Sequence, residues 1–447
     1  MPTVEPHNPP PELCAALTDL WAASPIRADL YRAPPFRHVR ATCERLFPGS
    51  GSASTLDFAL ARAMRALACP ATDPVAGQCP MSAEEAAWRL DAAFRQTEVT
   101  RTHLCPLDMA DHFPSISFGS ARAGQFSNTE LTDLLQGPAG PRGRTNDLDI
   151  DRLAAFRWLV VRETSSVSSP DLQHRALPEL SINFNQDFGR IVPHARARPQ
   201  AVDDALLALL LLPWEDHDTH HNPEWRVFRV PWIYTVEDDL FGRLPARPDV
   251  DTLTEVDFTY DDALETVTEL RPYVINLAET VEPMVAQLDA AAWARHQTAL
   301  SHPAFCPPIA HFFVRAFFGE PIDEFLAHVM TLEASLGTPE DYDAKGRLKF
   351  SRSDNPGAKT RVAARITALL EDVGAGRDYE TLFELRSQYV HGRIMGDIPS
   401  AARLTARKLA RRVVAALVDL AQVSREPRDD LLAKLVLAGI GPLRATS

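Results

Sequence analysis

At 447 residues and 49.4 kDa the chain is too long for one ordinary core, and a prior of about 150 residues per domain suggests two or three domains. A hydrophobic content of 45% with 24% charged residues excludes wholesale disorder and collagen-like repetition, and no apolar run approaches the ~20 residues of a membrane helix. The net charge of −14 is uneven: from Asp341 onward 19 Lys and Arg face 13 Asp and Glu, so only this last part suits a phosphate-rich ligand.

Residues 1–100 read as a helical region. Pro11–Ala23, Thr55–Ala68 and Ser82–Phe94 carry apolar residues at helical spacing, and Ser82 with Glu85 makes a capping box. Residues 101–244 read as an α+β domain. Its expected strands are Ser115–Phe118, Phe156–Val161, Leu180–Phe184 and Arg226–Tyr234, with one helix at Val202–Leu212. Pro245–Asp257 reads as a linker, and residues 258–306 as connecting helices, Tyr260–Leu270 and Val274–Arg295. Residues 307–423 form a helical bundle: Ile309–Phe318, Ile322–Leu336, Ala358–Glu371, Tyr379–Val390 and Ser400–Val423. Its stops are Gly319 with Pro321, Gly337, Gly374 with Gly376, and Gly392. The tail, 424–447, includes Leu431–Leu443, too apolar to stay in water, and is expected to pack back on the body. The fold class is mainly α with an α+β middle region.

The chemistry concentrates at the end of Tyr379–Val390, where Arg386, Ser387, His391 and Gly392 follow one another. A histidine of near-neutral pKa can move the proton of a 2′-hydroxyl, and a guanidinium can clamp the phosphate whose charge grows in the transition state. Ser387 lies one turn before His391 and could bond its ring. Arg386 lies five residues away, about 140° around a helix, so one helix does not aim both side chains at one small ligand. A second copy across a dimer axis would complete the pair. The same residues also fit an arginine paired with a carboxylate and a surface histidine at a helix end. Arg403, Arg407 and Arg411 recur every fourth residue with Lys408 beside them. They read either as an RNA-binding stripe or as a solvated face opposite Leu404, Leu409, Val413 and Leu417.

The order Phe312–Phe317, Asp323, Leu332–Leu336, Arg361–Leu370 and Leu382–Ser387 through His391-Gly392 resembles the HEPN superfamily, and within it the Apea-like HEPN group. The resemblance spans about Pro307–Val423. It implies a HEPN-type bundle in a dimeric, metal-independent ribonuclease of bacterial antiphage defence or a toxin-like system. Arg386 and His391 would be its catalytic pair, Ser387 the polar neighbour, and Glu333 an acid orienting the arginine. RNA would be the substrate, with no cofactor, and the front of the chain would sense a phage or host protein. A tyrosine two residues after the histidine, present in a modified subgroup, is replaced here by Arg393. The alternative is a non-catalytic HEPN module for dimerisation or RNA binding.

Other motifs are weaker. Glu215, Asp216, His217, His220 and His221 resemble metal ligands but lack a second ordered set. Asp147, Asp149 and Asp151 lack the glycine and distant glutamate of a calcium loop, and Gly49–Ser52 lacks a phosphate-loop lysine. No metal site is expected. Six scattered cysteines without a close pair read as free thiols, and Met1–Glu12 shows no secretion signal, so a cytoplasmic protein without membrane contact is expected.

Overall fold

A computed structural model describes residues 8–26, 29–72, 81–136, 148–168, 174–178, 198–217, 227–243, 245–262, 265–278, 280–305, 307–341, 356–392 and 396–445. The chain opens with four helices, α1 (Pro11–Trp21), α2 (Pro34–Leu46), α3 (Ala53–Ala66) and α4 (Ala83–Arg95). Serine caps open α4, as the sequence suggests, and also α3. Ser82 accepts the Glu85 amide at the head of α4, and Ser52, part of the glycine-serine run, accepts that of Thr55 at the head of α3. The four helices share a core with Leu177, Leu240 and Phe241 from the middle of the chain.

The middle region is built from β1 (Glu98–Leu107), β2 (Ile116–Phe118), β3 (Ala121–Gln125), α5 (Asn128–Gln136), α6 (Ile150–Ala154), β4 (Arg157–Ser166), α7 (Gln200–Leu210) and β5 (Tyr234–Glu237). Its strands form one antiparallel sheet in the order β2-β3-β4-β1-β5, with Leu104 opposite Val160 and Cys105 opposite Leu159. Alternation sends side chains to opposite faces. Trp158, Val160 and Leu104 meet α5 and α6, whereas Leu159, Val161, Cys105 and Leu107 meet α7. Of the calcium-like acids, Asp149 caps α6 by accepting the Arg152 amide, and Asp147 lies outside the described residues.

Beyond it come β6 (Glu255–Asp262), β7 (Glu265–Pro272), α8 (Val281–Val285) and α9 (Ala290–Leu300). The bundle follows: α10 (Pro307–Phe317), α11 (Pro321–Leu336), α12 (Ala358–Leu370), α13 (Val373–Val390), α14 (Ser400–Val423) and α15 (Arg428–Ala445). The core of the α7 face runs without interruption through α10 into the bundle. Among the described residues no helix is long and apolar enough to cross a membrane.

The expected helix at Tyr260–Leu270 is instead an antiparallel hairpin, β6–β7, and Val274–Arg295 resolves into the shorter α8 and α9. Val256, Phe258 and Tyr260 alternate with Asp257 and Thr259, and Thr266-Val267-Thr268 is β-branched; this two-residue period outweighs the helical one. The sheet is richer than expected. β1 and β3 lie outside the strands read from the sequence, and β5 begins only at Tyr234. Leu180–Phe184 lies outside the described residues. α13 starts at Val373 rather than Tyr379, because Asp372 caps it by accepting the Ala375 amide, so Gly374 and Gly376 are helical rather than stops. The tail is the full helix α15, and it packs back as expected. A Cβ at Gly439 would lie 1.8 Å from the Ala364 carbonyl oxygen, so only glycine lets α15 approach α12 this closely.

Candidate active site

Helix α13 brings Arg386, Ser387 and His391 to the end of the bundle and stops there. Gly392 has φ +68° and donates to the Tyr389 carbonyl at 3.0 Å, the left-handed turn that ends a helix. The His391 amide donates to the Ser387 carbonyl at 3.1 Å, while His391 is exposed and its ring makes no hydrogen bond or ion pair among the described residues. The expected Ser387 bond to that ring is not formed; their tie is through the backbone alone.

Glu333, near the end of α11, faces Arg386 across the junction of the two helices. Arg386 Nη2 stands 3.9 Å from Glu333 Oε2, the outer limit of an ion pair, and Glu333 Oε1 has no hydrogen-bond partner. Burial pushes the Glu333 carboxyl above its ordinary range, and the Arg386 charge offsets this only in part. Between them opens a depression of about 460 Å³, lined by Glu333, Gly337, Thr338, Pro339, Phe383 and Arg386. The Arg386 side chain is 30% exposed and loosely held, so its guanidinium remains available to an anion. His391 is not part of that lining, which agrees with its distant angular position on α13.

A pair of arginines that sequence reasoning passed over is tied to the depression through Thr338. Arg361 and Arg365 on α12 both reach the buried Asp341, at 3.4 Å for Arg361 Nη1. Burial raises the Asp341 carboxyl, but the Arg365 and Arg361 guanidiniums and the Thr338 amide outweigh it and hold it below the ordinary range. Their signal was present: two arginines at i and i+4 inside an otherwise apolar helix. Asp341 accepts the amide of Thr338, which lines the depression, at 2.9 Å.

The expected RNA-binding stripe requires correction. Arg403, Arg407 and Arg411 are 3%, 0% and 6% exposed, so neither RNA nor solvent reaches them. Arg403 Nη2 lies 3.0 Å from Glu324 Oε2, Arg407 Nε donates to Glu324 Oε1 at 2.9 Å, and Arg411 pairs with Glu215. Arg411 Nε also donates to the Leu210 carbonyl at 2.9 Å, at the end of α7. Helix α14 is central in the bundle and buried on several sides, so its cations turn inward to acids supplied by α11 and by the turn after α7. Lys408 alone of the four is exposed, and it pairs with Asp216 at 3.3 Å.

Those pairings also engage Glu215 and Asp216 of the metal-like run. His217 Nδ1 lies 3.4 Å from Thr280 Oγ1, and His220 and His221 lie outside the described residues, as does Arg393. Among the described residues no group of three His, Cys, Asp or Glu side chains could hold a metal ion. Cys14, Cys43, Cys69 and Cys105 are free, and burial pushes the Cys105 thiol up to about 12. Comparison with protein-family models, with curated proteins and with solved structures finds no match to this chain.

Proposed function

We propose that the bundle Pro307–Val423 is a metal-independent endoribonuclease of the HEPN type, acting in bacterial antiphage defence or a toxin-like system within the cytoplasm. The observation that supports it is the state of the α13 end. Arg386 is the loosely paired cation of an open depression, and His391 is a solvent-facing imidazole one helical turn beyond. In this reading His391 moves the proton of the attacking 2′-hydroxyl or the leaving oxygen. Arg386 clamps the phosphate, and Glu333 holds the guanidinium in reach. Attack by the 2′-hydroxyl on phosphorus expels the 5′-oxygen and leaves a cyclic phosphate.

The 140° between Arg386 and His391 favours a site shared by two copies, each giving its α13 end. The front of the chain would then sense a phage or host protein. RNA is gripped by Arg386 and its surroundings, not by the buried cations of α14. Purified full-length protein incubated with total RNA tests this. Cleavage should persist in EDTA and fall at least ~10²-fold in His391→Ala and Arg386→Ala. It should fall in Arg386→Lys as well, because an ammonium lacks the bidentate fork. An RNA-binding wild type that never cleaves, with unchanged binding in His391→Ala, would establish the scaffold alternative instead.

A further inference from the structure

The hairpin β6–β7 has a composition and surface unlike the rest of the chain. Among the described residues, thirteen large apolar side chains are exposed; four of them fall here, Val256, Phe258, Tyr260 and Leu270, and Tyr273 and Val274 follow directly. The ladder places Val256 opposite Arg271, Phe258 opposite Glu269 and Tyr260 opposite Val267, so these six residues share one face. On it the Phe258 and Tyr260 rings lie 5.9 Å apart, and Arg271 sits 4.0 Å above the Phe258 ring. The base is anchored to the body, through Arg152 on Glu255 at 2.7 Å and the Thr254 amide on Asp108 at 2.8 Å. No third strand joins either outer edge among the described residues.

A ribbon of two strands is marginally stable alone in water, and unpaired edges with apolar faces attract another strand. The charge selects which one. Strand β6 carries Glu255, Asp257, Asp261 and Asp262 with no cation, and β7 carries Glu265 and Glu269 against Arg271. Two such ribbons repel each other, which disfavours a second copy, and a polyanion such as RNA is repelled as well. We infer that the outer edge of β6 is a docking site for an extended basic segment of a partner protein. Its backbone would extend the ladder, its apolar residues would lie on Phe258 and Tyr260, and its cations would meet Asp257 and its acidic neighbours. This inference does not depend on the ribonuclease reading.

The probe is a fluorescein-labelled peptide of alternating lysine and valine, titrated with the full-length protein and followed by anisotropy. A glutamate–valine peptide serves as the comparator. The lysine–valine peptide should bind, more weakly as salt rises, and the comparator should not. Phe258→Ser with Tyr260→Ser, and separately Asp257→Lys, should each weaken it by at least about tenfold. Asp257 is exposed and uninvolved in the ribbon's rings, so that variant keeps the fold. The inference is overturned by absent binding, by equal binding of the glutamate peptide, or by binding unchanged in either variant. A wild-type dimer that becomes monomeric in Phe258→Ser with Tyr260→Ser would place a second copy on the ribbon and overturn it too.

Discussion

Two sets of arginines occupy neighbouring helices of one bundle and meet opposite fates. On α14, Arg403 and Arg407 grip Glu324, which is fully buried, while on α13 Arg386 stands 3.9 Å from a half-satisfied Glu333 beside open space. The first set has spent its charge on the fold. The second keeps charge in reserve, and a loose partly exposed pair costs little to open when an anion arrives. Regular spacing of cations therefore says less about ligand binding than what stands opposite them.

The contrast can be broken most forcefully at its buried end. Arg407→Ala leaves Glu324 with part of its compensation gone, and should destabilise the protein by about 3–5 kcal/mol in denaturant melts. Stability losses below about 1 kcal/mol there would mean that the α14 cations are solvated after all. Arg386→Ala should show the reverse pattern. Its melt should stay within about 1 kcal/mol of wild type while RNA cleavage falls at least ~10²-fold.

Acid titration sharpens the comparison further. The Asp341 carboxyl, held low by Arg365 and Arg361, contributes stability that is present above its unfolded value near 3.8 and is lost as pH falls through the lower folded value. Glu333 works in the opposite sense. Its folded value is raised, so its contribution is present below the unfolded value near 4.5 and is lost as pH rises through the folded one. Urea midpoints measured against pH should thus decline at the acid end in wild type and decline less in Asp341→Asn. The smallest effect belongs to Lys408→Ala, whose exposed pair with Asp216 should contribute too little to resolve in a melt.

The legibility of this chain in its sequence follows the range of the forces involved. Helices α10 to α14 were readable because their apolar period and their end signals are local, as at Gly319 with Pro321 and at Gly392. The start of α13 was missed because Gly376 looks like a stop, when it serves close packing of that helix on α12 near Thr367. Strands β1 and β3 escaped because Cys105-Pro106 and Gly124 interrupt their β-propensity, and their pairing partners lie far along the chain. Arg386 is legible at the end of its helix and Glu333 only through a resemblance, and the fold sets them face to face. The direction of Arg403, Arg407 and Arg411 was not readable at all. It is set by Glu324 and Glu215, which stand about 80 and 190 positions away and meet α14 only after folding.

The unbroken core from the sheet through α7 to the bundle bears on how this bundle can be inherited or transplanted. A segment cut at Pro307 would bare the side of α10 that meets α7, and would leave Arg411 without Glu215 or the Leu210 carbonyl. Recombination that grafts the bundle onto a different front end must carry α7 and its following turn along, or supply an equivalent acid. The bundle and the middle region are thus one packed unit, joined through α7 and the turn after it.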